Sequence, residues 1–216
     1  MMRTNPMRFT MTSLALWALS GVAMSEELYE PRVFMNDAGR SLNYRLMIPK
    51  DYSPSGTEKY PLVLFLHGAG ERGNDNAKQL VHGTKDFAKD ENRAKYPCFV
   101  IAPQCPEGKK WVEVDWSANT HKQPEESVSL VLTRELMASL QKEFRIDEKR
   151  LYVTGLSMGG YGTWDMITRT PNVCNLRTKG TKSLSEAIRI TTSNCLCSVS
   201  SKASRAIHTS MPRSWR

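Results

Sequence analysis

The segment Leu151-Tyr152-Val153-Thr154-Gly155-Leu156-Ser157-Met158-Gly159 constrains this chain more than any other. Four residues of strand character run into a serine bracketed by glycines, and Met158 to Thr168 continues as a helical segment. A strand that turns this sharply into a helix lifts the serine side chain to the carboxyl end of a sheet. Gly155 and Gly159 must be small, because side chains there would strike the strand or the helix. The helix N-terminus below Ser157 brings a positive dipole and free N–H groups, which suit a developing oxyanion. The bare five-residue pattern is common. The strand before it, the helix after it and the run Gly159-Gly160-Tyr161-Gly162 make it specific.

The rest of the chain supplies a sheet for that turn. Arg32 to Met35 and Leu42 to Ile48 read as strands, with turn residues Asn36-Asp37-Ala38-Gly39 between them. Pro49 to Lys59 is a polar loop. Leu62-Val63-Leu64-Phe65-Leu66 is continuously apolar, as is Cys98 to Pro103. Strands buried on both faces look like this and belong to parallel sheets. Glu125 to Phe144 places Val128, Val131, Leu132, Leu136, Leu140 and Phe144 at spacings of three or four. That predicts a helix of about five turns, with Pro124 at its start and Arg145-Ile146-Asp147 closing it. Strand, helix, strand is a βαβ unit, so the expected class is α/β.

The buried strand Leu62–Leu66 runs directly into His67-Gly68-Ala69-Gly70. In a strand–serine–helix architecture the loop after the third strand donates one oxyanion N–H, and the residue after the nucleophile donates the other. The candidate oxyanion hole is therefore the N–H of Met158 with that of Ala69 or Gly68. His67 precedes the serine, whereas the order in such sites is serine, acid, histidine; its expected role is backbone geometry.

Residues 66–73 (LHGAGERG) together with 155–165 (GLSMGGYGTWD) resemble a group of secreted bacterial α/β-hydrolases. Its members are described as predicted peptidases, phospholipase/carboxylesterase-like proteins, and relatives of feruloyl and polyhydroxybutyrate esterases. Ala102-Pro103-Gln104-Cys105-Pro106, followed by Trp111, is similar to that group as well. The resemblance runs from about Glu30 to Asn172. It implies an α/β-hydrolase fold, with a mostly parallel sheet and helices on both faces. It implies a serine hydrolase that cleaves small-molecule or polysaccharide-linked esters through an acyl-enzyme on Ser157, without a cofactor or metal. A serine peptidase of the same superfamily is the nearest rival. A secreted domain that keeps the fold without the chemistry is a third reading.

The resemblance stops after Asn172. Residues 173–216 hold eight basic residues, nine serines, three cysteines and one acid, Glu186, with no comparable series of apolar strands. The family pattern continues with further strands, an acid after a Gly…Asp turn, and a Gly-His near the end. Here the only histidine after Ser157 is His208, with no glycine before it. His208 is the candidate base, and the acid has no candidate: Asp165 lies two turns into the helix after the serine and reads as a packing or surface group. A serine without a base is a weak nucleophile. The abrupt change in charge, serine and cysteine content leads us to expect that this tail is out of frame or truncated, with the C-terminal part of the sheet missing or non-native.

The ends also explain the net charge of +8. Residues 26–170 carry 20 basic and 21 acidic side chains, so the body is near neutral and offers no basic groove for nucleic acid. Arg3 and Arg8 followed by the apolar run Met11–Met24, with Ala23 and Ser25 at cleavage-site spacing, read as a signal peptide over residues 1–25. A secreted or periplasmic protein without a stable membrane anchor is expected. Of the five cysteines, Cys98 and Cys105 bracket a strand spanning roughly 23 Å at about 3.3 Å per residue. Disulfide bonding requires Cα atoms within about 7 Å, so these two should not pair. No cysteine or histidine spacing matches a zinc site. Trp111 and Trp116 are open between lining a cleft and packing, and Lys109-Lys110 is expected to be solvated.

Overall fold

The computed structural model describes residues 27–117 and 124–170. The expected signal peptide, His121, and the tail with Cys174, Cys195, Cys197 and His208 lie outside the described residues.

Among the described residues, five strands form one sheet: β1 (Glu30–Met35), β2 (Ser41–Met47), β3 (Tyr60–Leu66), β4 (Phe99–Pro103) and β5 (Ile146–Gly155), in the order β1-β2-β4-β3-β5. β3 runs parallel to both β4 and β5. β1 and β2 are antiparallel, and β2 is antiparallel to β4. The parallel character is thus confined to the second half of the described sheet. The cause is local: Asn36 to Gly39 closes a tight turn, and a connection that short permits only an antiparallel pair. Gly39 takes φ +73° there, and its N–H donates to the Asn36 carbonyl at 2.9 Å.

Side chains alternate across the central strands and both faces are covered. Leu62, Leu64, Leu66, Phe99 and Ile101 point into one core, which also holds Leu130, Leu136 and Leu140 of α3 (Val128–Glu143) and Met158 and Met166 of α4 (Met158–Arg169). Phe65, Val100 and Ala102 point into the other, with Tyr29, Met47, Leu80 and Ala88 of α1 (Thr84–Ala88). A short α2 (Asp90–Lys95) follows α1 and leads to β4. Two covered faces explain why β3 and β4 read as unbroken apolar runs rather than as alternation. Each fully buried leucine contributes roughly 1.5–3 kcal/mol.

Three expectations about the long helix need correction. It begins at Val128, not at Pro124: Ser127 caps it, its Oγ accepting the Leu130 N–H at 3.1 Å and donating to the Trp111 carbonyl at 2.6 Å. A serine oxygen satisfies an N–H left orphaned by the helix start, which Pro124 has no side chain to do. The apolar stripe is also rotated. Leu132, Leu136 and Leu140 are buried as expected, but Val128 is exposed, and Leu130, Thr133 and Met137 complete the face. Both registers are present in the sequence, and the surface of the sheet selects between them. Finally, Phe144 ends the helix, and Ile146 already belongs to β5, where it pairs with Tyr60. The irregularity between Ile146 and Leu151 hides the true start of that strand.

Candidate active site

Ser157 sits between β5 and α4 with φ +52° and ψ −112°, and it is exposed to solvent. A non-glycine residue at positive φ costs on the order of 1–3 kcal/mol and persists only where its surroundings enforce it. Here they do. The Leu156 N–H donates to the carbonyl of Leu66 at the end of β3, at 3.0 Å. The N–H groups of Gly159 and Gly160 close back on Leu156 and Ser157, each at 2.8 Å. A Cβ on Gly155 would lie 2.2 Å from the Gly159 carbonyl oxygen, and one on Gly159 would lie 1.9 Å from that of Leu66. Both glycines are therefore obligatory. The obstacle at Gly159 is the neighbouring strand β3, contributed from some ninety residues earlier in the chain.

Met158 is the first residue of α4, so its N–H has no partner one turn back in the helix. The loop after β3 lies against the same spot: a Cβ on Gly68 would sit 3.7 Å from Ser157 Cβ and 3.6 Å from the Leu156 carbonyl oxygen. Ala69–Glu71 then forms a single 3₁₀ turn, the Glu71 N–H reaching the Gly68 carbonyl at 3.4 Å. The structure thus brings Gly68 and its neighbour Ala69 to the turn that carries Ser157 and Met158.

His67 is a strut. It is buried, its Nδ1 donates to the Gly68 carbonyl at 2.6 Å, and its Nε2 accepts the Cys105 N–H at 2.9 Å. Both ring nitrogens are committed to backbone, which defines the neutral tautomer. Burial lowers its pKa from the ordinary 6.5, against a smaller opposing effect of the Gly68 carbonyl. Trp111 resolves toward packing: it is fully buried, edge-on to His67, and its indole N–H donates to the His67 carbonyl at 3.0 Å. Trp116 is partly exposed, with the Lys110 ammonium over its ring at 4.8 Å. Lys110 also donates to the Val114 carbonyl at 3.0 Å, so it is engaged rather than simply solvated.

Several positioning residues escape a motif-level reading. Arg72 pins the turn through Nε to the Ala69 carbonyl at 2.8 Å and reaches the Lys109 carbonyl at 3.4 Å. Gln104 donates to the Asp75 carboxylate at 2.8 Å and accepts the Asn76 N–H at 2.7 Å, tying the loop after Gly73 to the end of β4. Backbone N–H groups of Lys78 and Ala77 and the Gln104 amide together hold the Asp75 carboxyl well below the usual carboxylate range. The Ala102–Pro106 stretch marks this region in the sequence, but its role depends on partners thirty residues away.

Asp165 is buried and paired with Arg169 Nε at 2.7 Å, and Arg169 also contacts the Pro124 carbonyl. It is a packing group, as its place on the helix suggests. Cys98 and Cys105 are free thiols on either side of β4.

A serine held at positive φ between a parallel strand and a helix, facing the loop of the adjacent strand, defines an α/β-hydrolase fold. A family model described as "Putative esterase" matches residues 36–173, and the chain belongs to that family. Among solved structures, a thermostable esterase is 39% identical with a TM-score of 0.62, over 68% of this chain and 39% of its own. A ferulic acid esterase is 18% identical with a TM-score of 0.49, over 68% of this chain and 56% of its own. The chain thus spans about two fifths to somewhat over half the length of these structures. No curated protein matches it.

Proposed function

We propose that this protein is a serine hydrolase of carboxylic esters. Ser157 Oγ attacks the ester carbonyl carbon, and the N–H groups of Met158 and of Ala69 or Gly68 receive the oxyanion. The alcohol then leaves with a proton, and water releases the acid from the acyl-enzyme. The observation that carries this reading is the enforced conformation of Ser157, exposed above a helix N-terminus and faced by the Gly68 turn. Membership in an esterase family and 39% identity to a thermostable esterase support it. The substrates we propose are small or polysaccharide-linked esters.

In this proposal residues 1–25 are a signal peptide that directs the protein to the periplasm or outside the cell, and His208 is the base only where residues 173–216 are the native tail. Residues 26–172 form the hydrolase domain. The composition of residues 173–216 supports a tail out of frame with that domain. Reading the encoding DNA in its other two frames beyond Asn172 tests this. A strand series, a Gly…Asp turn and a Gly-His should emerge in one of them.

A fluorophosphonate probe tests the chemistry. We expect covalent labelling at Ser157, lost in Ser157→Ala, and a fall in aryl ester turnover of at least about a thousandfold in that variant. Turnover of a matched anilide at a comparable rate would indicate a peptidase instead. Folded protein that takes no label would establish a non-catalytic domain.

A further inference from the structure

We propose that Glu71 selects substrate charge at the Ser157 site, favouring esters with a cationic group near the scissile carbonyl and disfavouring anionic ones. The proposal rests on the ester-hydrolase reading for its substrate class, and on separate geometry for its location.

Gly68 is the pivot. The space that a Cβ on Gly68 would fill is flanked by Glu71 Oε2 at 2.9 Å on one side and by Ser157 Cβ at 3.7 Å on another. The carboxylate oxygen and the serine Cβ are therefore no more than about 6.6 Å apart, the sum of those two distances. The Glu71 side chain is only 13% exposed, so its charge is poorly screened. Among the described ion pairs, its one partner is His82, 3.7 Å from Oε1, whose ring is largely exposed. Oε2 faces the space at Gly68 that Ser157 Cβ also borders.

Among the described ion pairs, no lysine or arginine is paired with this carboxylate. The Arg72 guanidinium is directed to the carbonyls of Ala69 and Lys109. His67 is the neutral tautomer, held by backbone on both nitrogens. Lys110 is engaged by Val114 and Trp116. Serine hydrolysis itself has no need of a carboxylate here. One placed beside the oxyanion turn opposes the developing negative charge unless the substrate brings a positive one. A unit charge at this distance, in a partly buried site, separates cationic from anionic ligands by at least about tenfold.

The test uses three aryl esters with one leaving group and acyl chains of equal length, ending in a trimethylammonium, a methyl or a carboxylate group. For the wild-type chain we expect kcat/KM in the order cationic, neutral, anionic, with the extremes differing by at least about tenfold. Glu71→Gln should collapse the spread, and Glu71→Asp should retain most of it. Equal rates for the three esters in the wild type, or an unchanged spread in folded Glu71→Gln, overturn the proposal. If Glu71→Gln does not fold, the wild-type order and its retention in Glu71→Asp decide.

A second arm separates this idea from the proposed activity. The amide analogues of the three acyl chains are titrated into Ser157→Ala, with and without Glu71→Gln, by calorimetry. A cationic preference that depends on Glu71 supports the charge site even if no ester is ever hydrolysed. Indifference to charge, or no binding of any of the three, overturns it.

Discussion

His67 illustrates how one residue can look catalytic and be architectural. It directly follows β3, next to the loop that faces Ser157, yet both of its nitrogens bind backbone and its carbonyl takes the Trp111 indole N–H. Protonation would remove the acceptor that holds the Cys105 N–H, and burial opposes it. The folded pKa is therefore below the unfolded value of 6.5. Below that value the unfolded chain binds more protons than the folded one, so this contribution is fully present above about pH 6.5 and is lost as pH falls through the folded pKa. We expect the urea midpoint to drop between pH 6.5 and pH 5. The drop should be smaller in His67→Gln, whose amide oxygen can still accept from Cys105. An equal drop in both would place the acid sensitivity elsewhere.

At the scale of elements, the decisive contact is between the turn at Ser157 and the end of β3. The Leu66 carbonyl accepts the Leu156 N–H and also occupies the space in which a side chain on Gly159 would grow. Because the obstacle is backbone, it cannot move aside as a flexible side chain would. Overpacking costs typically about 1–3 kcal/mol. Gly159→Ala should reach at least about 3 kcal/mol, since α4 must separate from β3 to admit the methyl group. Urea denaturation followed by far-UV circular dichroism measures this. A loss within about 0.5 kcal/mol would mean that the turn is far looser than the structure has it. Gly70 offers the internal control: a Cβ there meets nothing within 4 Å, so Gly70→Ala should be mild by comparison.

The described residues form a sheet covered on both faces, and the two thiols that bracket β4 report on that cover. Burial pushes the Cys98 thiol up to about 12 and the Cys105 thiol up to about 11, the Ser129 hydroxyl opposing the shift at Cys105. At pH 8 the thiolate fraction is then roughly a thousandth or less, against about a quarter for a free cysteine. Brief treatment with iodoacetamide at pH 8, followed by peptide mass mapping, should leave both residues unmodified in the native protein and label both in urea. Rapid native labelling of Cys98 alone would show that the Tyr29–Val100 face opens. Labelling of Cys105 would show the same of the face beneath α3.

Much of this was legible in the residues themselves, and the reason is locality. The turn Gly155–Gly159, the apolar runs of β3 and β4, the hairpin turn and the presence of a long helix at α3 all depend on neighbours within a few positions. Side-chain period and backbone freedom act at that range. The coarse position of the Gly68 loop could be anticipated because it follows a buried strand directly. What the tertiary structure alone decided are relations between distant segments. It set β3 between β4 and β5, and it turned α3 so that Leu130 and Met137 face the sheet while Val128 faces water. It committed His67 to Cys105, and it brought the Glu71 carboxylate within reach of Ser157. A hydrophobic pattern states that a face is buried, not what buries it. Those partners are chosen by which backbones meet, as the Leu66 carbonyl meets Leu156 and Gly159 from across the chain.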